Sequence, residues 1–67
     1  MRFLRISEVV ARTGLSRTTI ARYERAGQFP SRRRLGQGAV GWVEEEVHDW
    51  LERRPTAEEE MPHFSKS

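Results

Sequence analysis

The stretch Thr13-Gly14-Leu15-Ser16 restricts the fold of this chain most, because it ends one helical segment and begins another. Gly14 favours the left-handed backbone conformation in which many helices terminate. Ser16 is a preferred N-cap residue, so a second helix is expected to begin directly after it. The sequence therefore predicts two short helices joined by a turn of about three residues.

Each of these two helices has further boundary signals. The first is predicted to begin with Ser7 as its cap and Glu8 in its first turn. The second is predicted to run for about ten residues with Ile20 facing the core and Tyr23 or Glu24 next to it, and to end at Gly27.

A β-hairpin and a third helix are predicted to follow. Residues 32–35 and 40–43 are short strand-like runs that flank a glycine-bearing tip at residues 36–39, with Trp42 expected beneath the hairpin. A third helix is predicted from residue 44 to about residue 54, because its apolar side chains, Trp50 among them, recur at helical spacing.

At 67 residues the chain has room for one domain. The predicted fold class is mainly α, a small winged helix-turn-helix of three helices with a two-stranded β-hairpin wing, over residues 1–54. Residues 55–67 are predicted to be an acidic, flexible tail. The alternative is a single helical turn near Thr56 that lets Met61 and Phe64 dock.

Composition bounds the cellular setting. The chain has no cysteine, which excludes a disulfide framework and a thiolate metal site and favours a reducing cytoplasm. Its first ten residues contain Arg2 and Arg5 and no continuous apolar run, so neither a signal peptide nor a membrane partner is expected.

The formal net charge of +2 conceals a strong asymmetry along the chain. Up to Arg34 there are nine arginines and two glutamates, which gives +7, whereas the remainder has three basic and eight acidic residues, which gives −5. A basic half of this kind indicates a polyanionic partner, and its alternative is a solvated arginine-rich surface.

The second predicted helix concentrates this charge on one face. Helical spacing places Arg17, Thr18, Ala21, Arg22 and Arg25 away from Ile20. Small residues on such a face let the helix approach base edges, while arginines bind guanine or phosphate. In the predicted hairpin, the three adjacent arginines cannot all point to one face, so part of the wing is expected to meet the sugar-phosphate backbone or a minor groove.

These considerations give two sets of candidate DNA-binding residues. Tyr23 is included among the recognition-helix candidates, but it suits a place in the core and a phosphate contact about equally, so both roles stay open. The recognition-helix set is Ser16, Arg17, Thr18, Thr19, Arg22, Tyr23 and Arg25, and the wing set is Arg32, Arg33, Arg34 and Gln37.

Other chemistry finds little support in the sequence. His48 and His63 have no cysteine partners, so no metal site is predicted. No nucleophilic residue is followed or preceded by a base at a sequence spacing typical of a catalytic pair. Neither catalytic residues nor a cofactor is therefore predicted, and the chain is not expected to be an enzyme.

The stretch "RISEVVARTGLSRTTIARYERAGQFPSRRRLGQGAVGWVEEEVHDWL" resembles the AlpA family of phage and prophage regulators, which is related to excisionase-type winged helices. The resemblance covers about Phe3 to Arg53 and rests on "TGLSRTTI", "GQFP", "AVGW" and "VHDWL" taken together. It implies DNA binding, either to activate genes of a mobile element or to direct an integrase toward excision. "ARYERAG" also resembles the MerR regulators, although their long C-terminal dimerisation helix is not expected here.

Double-stranded DNA is therefore the predicted partner. Because a single small module buries only about 600 to 1,000 Å² on DNA, self-association is also expected, as a head-to-tail array or a dimer. Integrase and RNA polymerase are further candidate partners. The alternative function is a protein-interaction module whose basic face binds an acidic partner such as integrase or polymerase.

Overall fold

A computed structural model describes residues 1–57 of the chain. In this range three helices surround a small antiparallel sheet, which confirms the predicted winged helix-turn-helix. The elements are β1 (Phe3–Leu4), α1 (Ile6–Thr13), α2 (Arg17–Arg25), β2 (Arg33–Gly36), β3 (Ala39–Val43) and α3 (Glu44–Glu52).

Helix α1 begins earlier than predicted. Arg5 occupies the N-cap position and Ser7 lies inside the helix, so the prediction that Ser7 caps it is wrong. The reason is Glu8, whose Oε1 accepts the backbone N–H of Arg5 at 2.9 Å. That hydrogen bond, followed by the charges of nearby arginines, lowers the pKa of Glu8 although its partial desolvation acts the other way.

The turn between α1 and α2 forms as the sequence predicts. Gly14 adopts a φ of 76° and its N–H donates to the carbonyl of Val10 at 2.8 Å. The Thr13 hydroxyl donates to the Val9 carbonyl and accepts the N–H of Leu15, which fixes the exit from α1. Three residues thus turn the chain from one helix into the next.

Helix α2 starts and stops close to its predicted bounds. The Ser16 hydroxyl oxygen accepts the N–H of Thr19 at 3.1 Å, which confirms Ser16 as the N-cap. After Ala26, Gly27 adopts a φ of 75° and ends the helical path. Ile20 is completely buried, so the inward face of α2 is also the predicted one.

The wing contains more sheet than the sequence indicates. Strand β1 pairs with β3, with Phe3 opposite Val43 and Leu4 opposite Trp42, and the strand order is β1-β3-β2. The predicted hairpin is present, but its turn is only Gln37 and Gly38, because residues 36 and 39 belong to the strands. The predicted four-residue tip is therefore too long.

Gly41 allows the three strands to close on one another. A Cβ atom at this position would lie 3.1 Å from the carbonyl oxygen of Leu4 and 2.8 Å from Cδ1 of Leu35. The backbone of β1 and the side chain of Leu35 therefore occupy space that any larger residue would need.

The core lies between the helices and the inner face of the sheet. Trp42 is 1% exposed beneath the wing, as predicted. Trp50 is half-buried on α3, where its indole N–H donates to the carbonyl of Gln28 at 2.7 Å and its ring meets Phe29 edge-to-face at 4.8 Å. The buried core cluster is Leu4, Val9, Ile20, Phe29, Trp42 and Val47.

Helix α3 ends at Glu52 with Arg53 as its C-cap, two residues short of the predicted end at about Arg54. Met61 and Phe64, which the sequence analysis considers for docking, lie outside the described residues. The division into a domain of residues 1–54 and a tail of residues 55–67 stays a prediction.

Candidate nucleic-acid interface

The outer face of α2 carries three arginines that the fold leaves uncompensated. Arg17, Arg22 and Arg25 are exposed, and within residues 1–57 no carboxylate lies within 4.0 Å of their guanidinium groups. Exposed Thr18 lies on the same face, because its helical position falls nearly opposite Ile20, and partly buried Ala21 lies at its edge. This face is both positively charged and free of bulky apolar groups.

Four other arginines are paired with carboxylates of the same chain. The four arginine ion pairs among the described residues are Arg2–Glu8 at 3.1 Å, Arg12–Glu44 at 2.9 Å, Arg32–Glu24 at 2.7 Å and Arg33–Glu46 at 2.7 Å. None of these four pairs involves the arginines on the outer face of α2.

The N-terminus of α2 adds to the positive potential. Helices α1 and α3 carry glutamates in their first turns, whereas α2 has no acidic residue there. The partial positive charge of the α2 N-terminus is therefore not offset locally. Ser16 caps this terminus, and its hydroxyl donates to the Thr19 hydroxyl at 2.9 Å.

Tyr23 lies at the edge of the core. Its ring is half-buried and its centroid is 6.4 Å from that of Trp50 on α3. The structure therefore gives Tyr23 a packing role, and its predicted phosphate contact stays a prediction.

The wing arginines have three different environments. Arg34 is exposed and has no ion pair among the described residues, and Gln37 is exposed in the turn. The Nη2 atom of Arg33 donates to Oε2 of Glu46 at 2.7 Å, which directs this side chain toward α3. Arg32 precedes β2 and binds Glu24 of α2.

Comparison with known proteins identifies the family of the chain. The family model described as prophage CP4-57 regulatory protein (AlpA) matches residues 2–55. The chain belongs to the AlpA family. The resemblance seen in the sequence from about Phe3 to Arg53 is thereby confirmed.

Two relatives extend the AlpA-family match. The chain is 39% identical over 62 residues to the DNA-binding transcriptional activator AlpA of Escherichia coli strain K12, an alignment that covers 81% of this chain and 86% of the relative. It is 45% identical over 53 residues to the uncharacterized protein ORF88 of Enterobacteria phage P4. That alignment covers 79% of this chain and 60% of the phage protein.

Glu24 is the residue of this AlpA-family site that sequence reasoning missed. Helical spacing places it beside the buried face of α2, but its partner Arg32 lies eight residues further along, beyond the loop that follows the helix. The only available signal was an acidic residue on an otherwise basic helix.

Within residues 1–57, no group of three or more histidine, cysteine, aspartate or glutamate side chains is placed to hold a metal ion. No helix in the same range has the length and apolar character needed to cross a bilayer.

Proposed function

We propose that this AlpA-family protein binds double-stranded DNA with α2 in the major groove and regulates transcription in a phage or integrative element. The observation that carries the proposal is the outer face of α2, where Arg17, Arg22 and Arg25 lack ion pairs within residues 1–57. The name of the Escherichia coli relative, a DNA-binding transcriptional activator, supports it.

The dimensions of α2 suit this role. An α-helix with its side chains is about 10 to 12 Å across, which fits the roughly 12 Å width of the major groove. Thr18 and Ala21 allow the helix axis to come close to the bases. Arg17 and Arg22 then reach guanine edges or phosphates, and the uncompensated N-terminus of α2 favours a nearby phosphate.

The wing contributes contacts to the backbone or an adjacent minor groove. Arg34 and Gln37 are the wing residues best placed for this, because both are exposed and Arg34 has no ion pair among the described residues. Arg33 contacts DNA only if it leaves Glu46, so its contribution is smaller.

We further propose that the protein binds cooperatively to repeated DNA sites, and that it directs excision of the element as well as activating transcription. One small module offers little contact area, so neighbouring protomers help each other to bind. Glu45 and Asp49 on α3 are exposed and have no ion pair among residues 1–57, which makes them available to the basic side of a neighbour. Footprints that lengthen stepwise with protein concentration support an array, whereas one patch of fixed length contradicts it.

The test of the main proposal is selection of bound duplexes from a random pool, followed by anisotropy titrations of the selected and a scrambled duplex. Arg22→Ala is expected to weaken selected-site binding by about 1 to 3 kcal/mol if the side chain reads a base. Arg53→Ala, which removes the same charge from the end of α3, is the matched control and is expected to have little effect.

Three results distinguish the possibilities. Loss of preference for the selected duplex in Arg22→Ala assigns base reading to Arg22, while equal weakening on all duplexes assigns it to phosphate. Absence of binding to any duplex at low salt contradicts the proposed function and favours a protein-interaction module with an acidic partner.

A further inference from the structure

The carboxylate of Glu24 accepts several hydrogen bonds from Arg32. Nη2 of Arg32 donates to Oε1 at 2.7 Å, and Nε lies 3.0 Å from Oε1 and 3.2 Å from Oε2. The backbone N–H of Arg32 also donates to Oε2, at 2.6 Å. One carboxylate of α2 therefore holds both the side chain and the main chain at the start of the wing, and the paired Nε and Nη2 donors are ones that only arginine provides.

Arg32 at the same time contacts the wing itself. Its guanidinium carbon lies 5.1 Å from the ring centroid of Trp42, which is buried on β3. Glu24, Arg32 and Trp42 thus form a continuous connection from the last turn of α2 to the sheet, which we term the Glu24 brace.

The Glu24 brace differs from the other arginine ion pairs among the described residues. The Glu24 side chain is 14% exposed, whereas the carboxylates paired with Arg2, Arg12 and Arg33 are between 30% and 41% exposed. Burial acts to raise the pKa of Glu24, but the hydrogen bonds from Arg32 outweigh it and lower the pKa below its ordinary value. The carboxylate is therefore charged at neutral pH, where it can hold the fork.

We propose that Glu24 and Arg32 are positioning residues that fix the wing relative to α2 for DNA binding, and that Arg32 does not itself contact phosphate. This inference rests on the proposed function, because it assigns a role within the same DNA-binding surface. It makes an acidic residue of the recognition helix necessary for binding a polyanion.

The direction in which Glu24→Gln changes DNA affinity distinguishes the Glu24 brace from a purely electrostatic effect. Glu24→Gln removes a negative charge from a helix that approaches DNA, so charge alone predicts tighter binding. Loss of the fork leaves the wing less well positioned and predicts weaker binding. Glu45→Gln, an equal charge change at an exposed position of α3 without an ion pair in residues 1–57, is the matched control, measured on a duplex that binds one protomer so that no neighbour contacts α3.

The experiment measures the affinity of the full chain and its variants for the selected duplex at several salt concentrations, after circular dichroism has confirmed that each variant is folded. We expect Glu24→Gln and Arg32→Ala each to weaken binding about tenfold, and the double variant to be no weaker than Arg32→Ala. Arg32→Lys is expected to behave like Arg32→Ala, because lysine cannot form the fork. The salt dependence is expected to stay that of the wild type in all of them.

Tighter binding by Glu24→Gln overturns the brace. So does rescue of binding by Arg32→Lys together with a fall in the salt slope of about one for Arg32→Ala, which identifies Arg32 as a phosphate contact. A wild-type chain that binds no duplex overturns the proposed function as well, so the two failures are distinguishable.

Discussion

At the scale of single residues, Gly14 sets the geometry between α1 and α2. Its φ of 76° is one that residues with a Cβ adopt at a cost of about 1 to 2 kcal/mol. Gly14→Ala is therefore expected to lower the free energy of unfolding by about 1 kcal/mol, measured by urea denaturation.

The control for Gly14 is Gly36→Ala. Gly36 has no positive φ, and a Cβ there would meet nothing within 4 Å, so this variant is expected to stay near wild-type stability. Equal effects of the two substitutions would contradict the assigned role of Gly14.

Glu24 makes the stability of the fold sensitive to acid. Its pKa is lower in the folded chain than its ordinary value, because the hydrogen bonds from Arg32 outweigh the effect of burial. A carboxyl group with a lowered pKa stabilises the fold above its unfolded pKa, and this contribution is lost as pH falls through the folded one. The wild type is thus expected to lose more unfolding free energy than Glu24→Gln between about pH 5 and about pH 3. Identical acid profiles in chemical denaturation would contradict this.

Local signals made some residues predictable and not others. Gly14 and Ser16 act through their own backbone and nearest neighbours, so the sequence is enough to place them. The partner of Glu24 depends on how the loop after α2 folds back, which no local propensity encodes. At the start of α1, Ser7 is a better cap residue than Arg5, yet the Glu8 carboxylate bonds the Arg5 N–H and shifts the start.

At the scale of elements, the exposed face of α2 was predictable because one buried position fixes the whole helix. Once Ile20 faces inward, helical periodicity assigns Arg22 and Arg25 to solvent, and Arg17 is exposed at the first position of the helix. Strand β1 was not predictable, because two residues carry no periodicity and Phe3 and Leu4 become a strand only by pairing with β3.

The wing gives a prediction of its own. Arg34→Ala is expected to weaken binding to every duplex and to reduce the slope of log affinity against log salt by about one, since one phosphate contact is lost. Arg33→Ala is the control, with a smaller change, because Glu46 already neutralises Arg33. An unchanged slope in Arg34→Ala would place this part of the wing away from DNA.

At the scale of the whole molecule, the basic and acidic halves of the sequence form ion pairs with each other. Arg12 pairs with Glu44 and Arg33 pairs with Glu46, so two links across the charge boundary are intramolecular. The sequence shows the asymmetry but not which charges cancel, since that depends on where the fold places Glu44 and Glu46 in the first turn of α3. Within residues 1–57, the arginines without an ion pair include the three on the outer face of α2 and Arg34 of the wing.

The core determines how much of the chain the fold requires. Every residue of the buried core cluster lies between Leu4 and Val47. A chain that ends at Ala57 is therefore expected to keep the thermal melting midpoint of the full chain, measured by circular dichroism. A large fall in that midpoint would show that residues 58–67 contribute to stability.

The most direct test of the central claim maps the DNA-bound surface by following backbone amide resonances during titration with a selected duplex that binds one protomer, so that no neighbour contacts α3. If α2 enters the major groove, the largest shifts are expected at residues 16–25 and at the wing turn, Gln37 and Gly38, while the outer face of α3 around Glu45 stays unchanged. Shifts concentrated on α3, or no shifts at saturating duplex, would contradict the account.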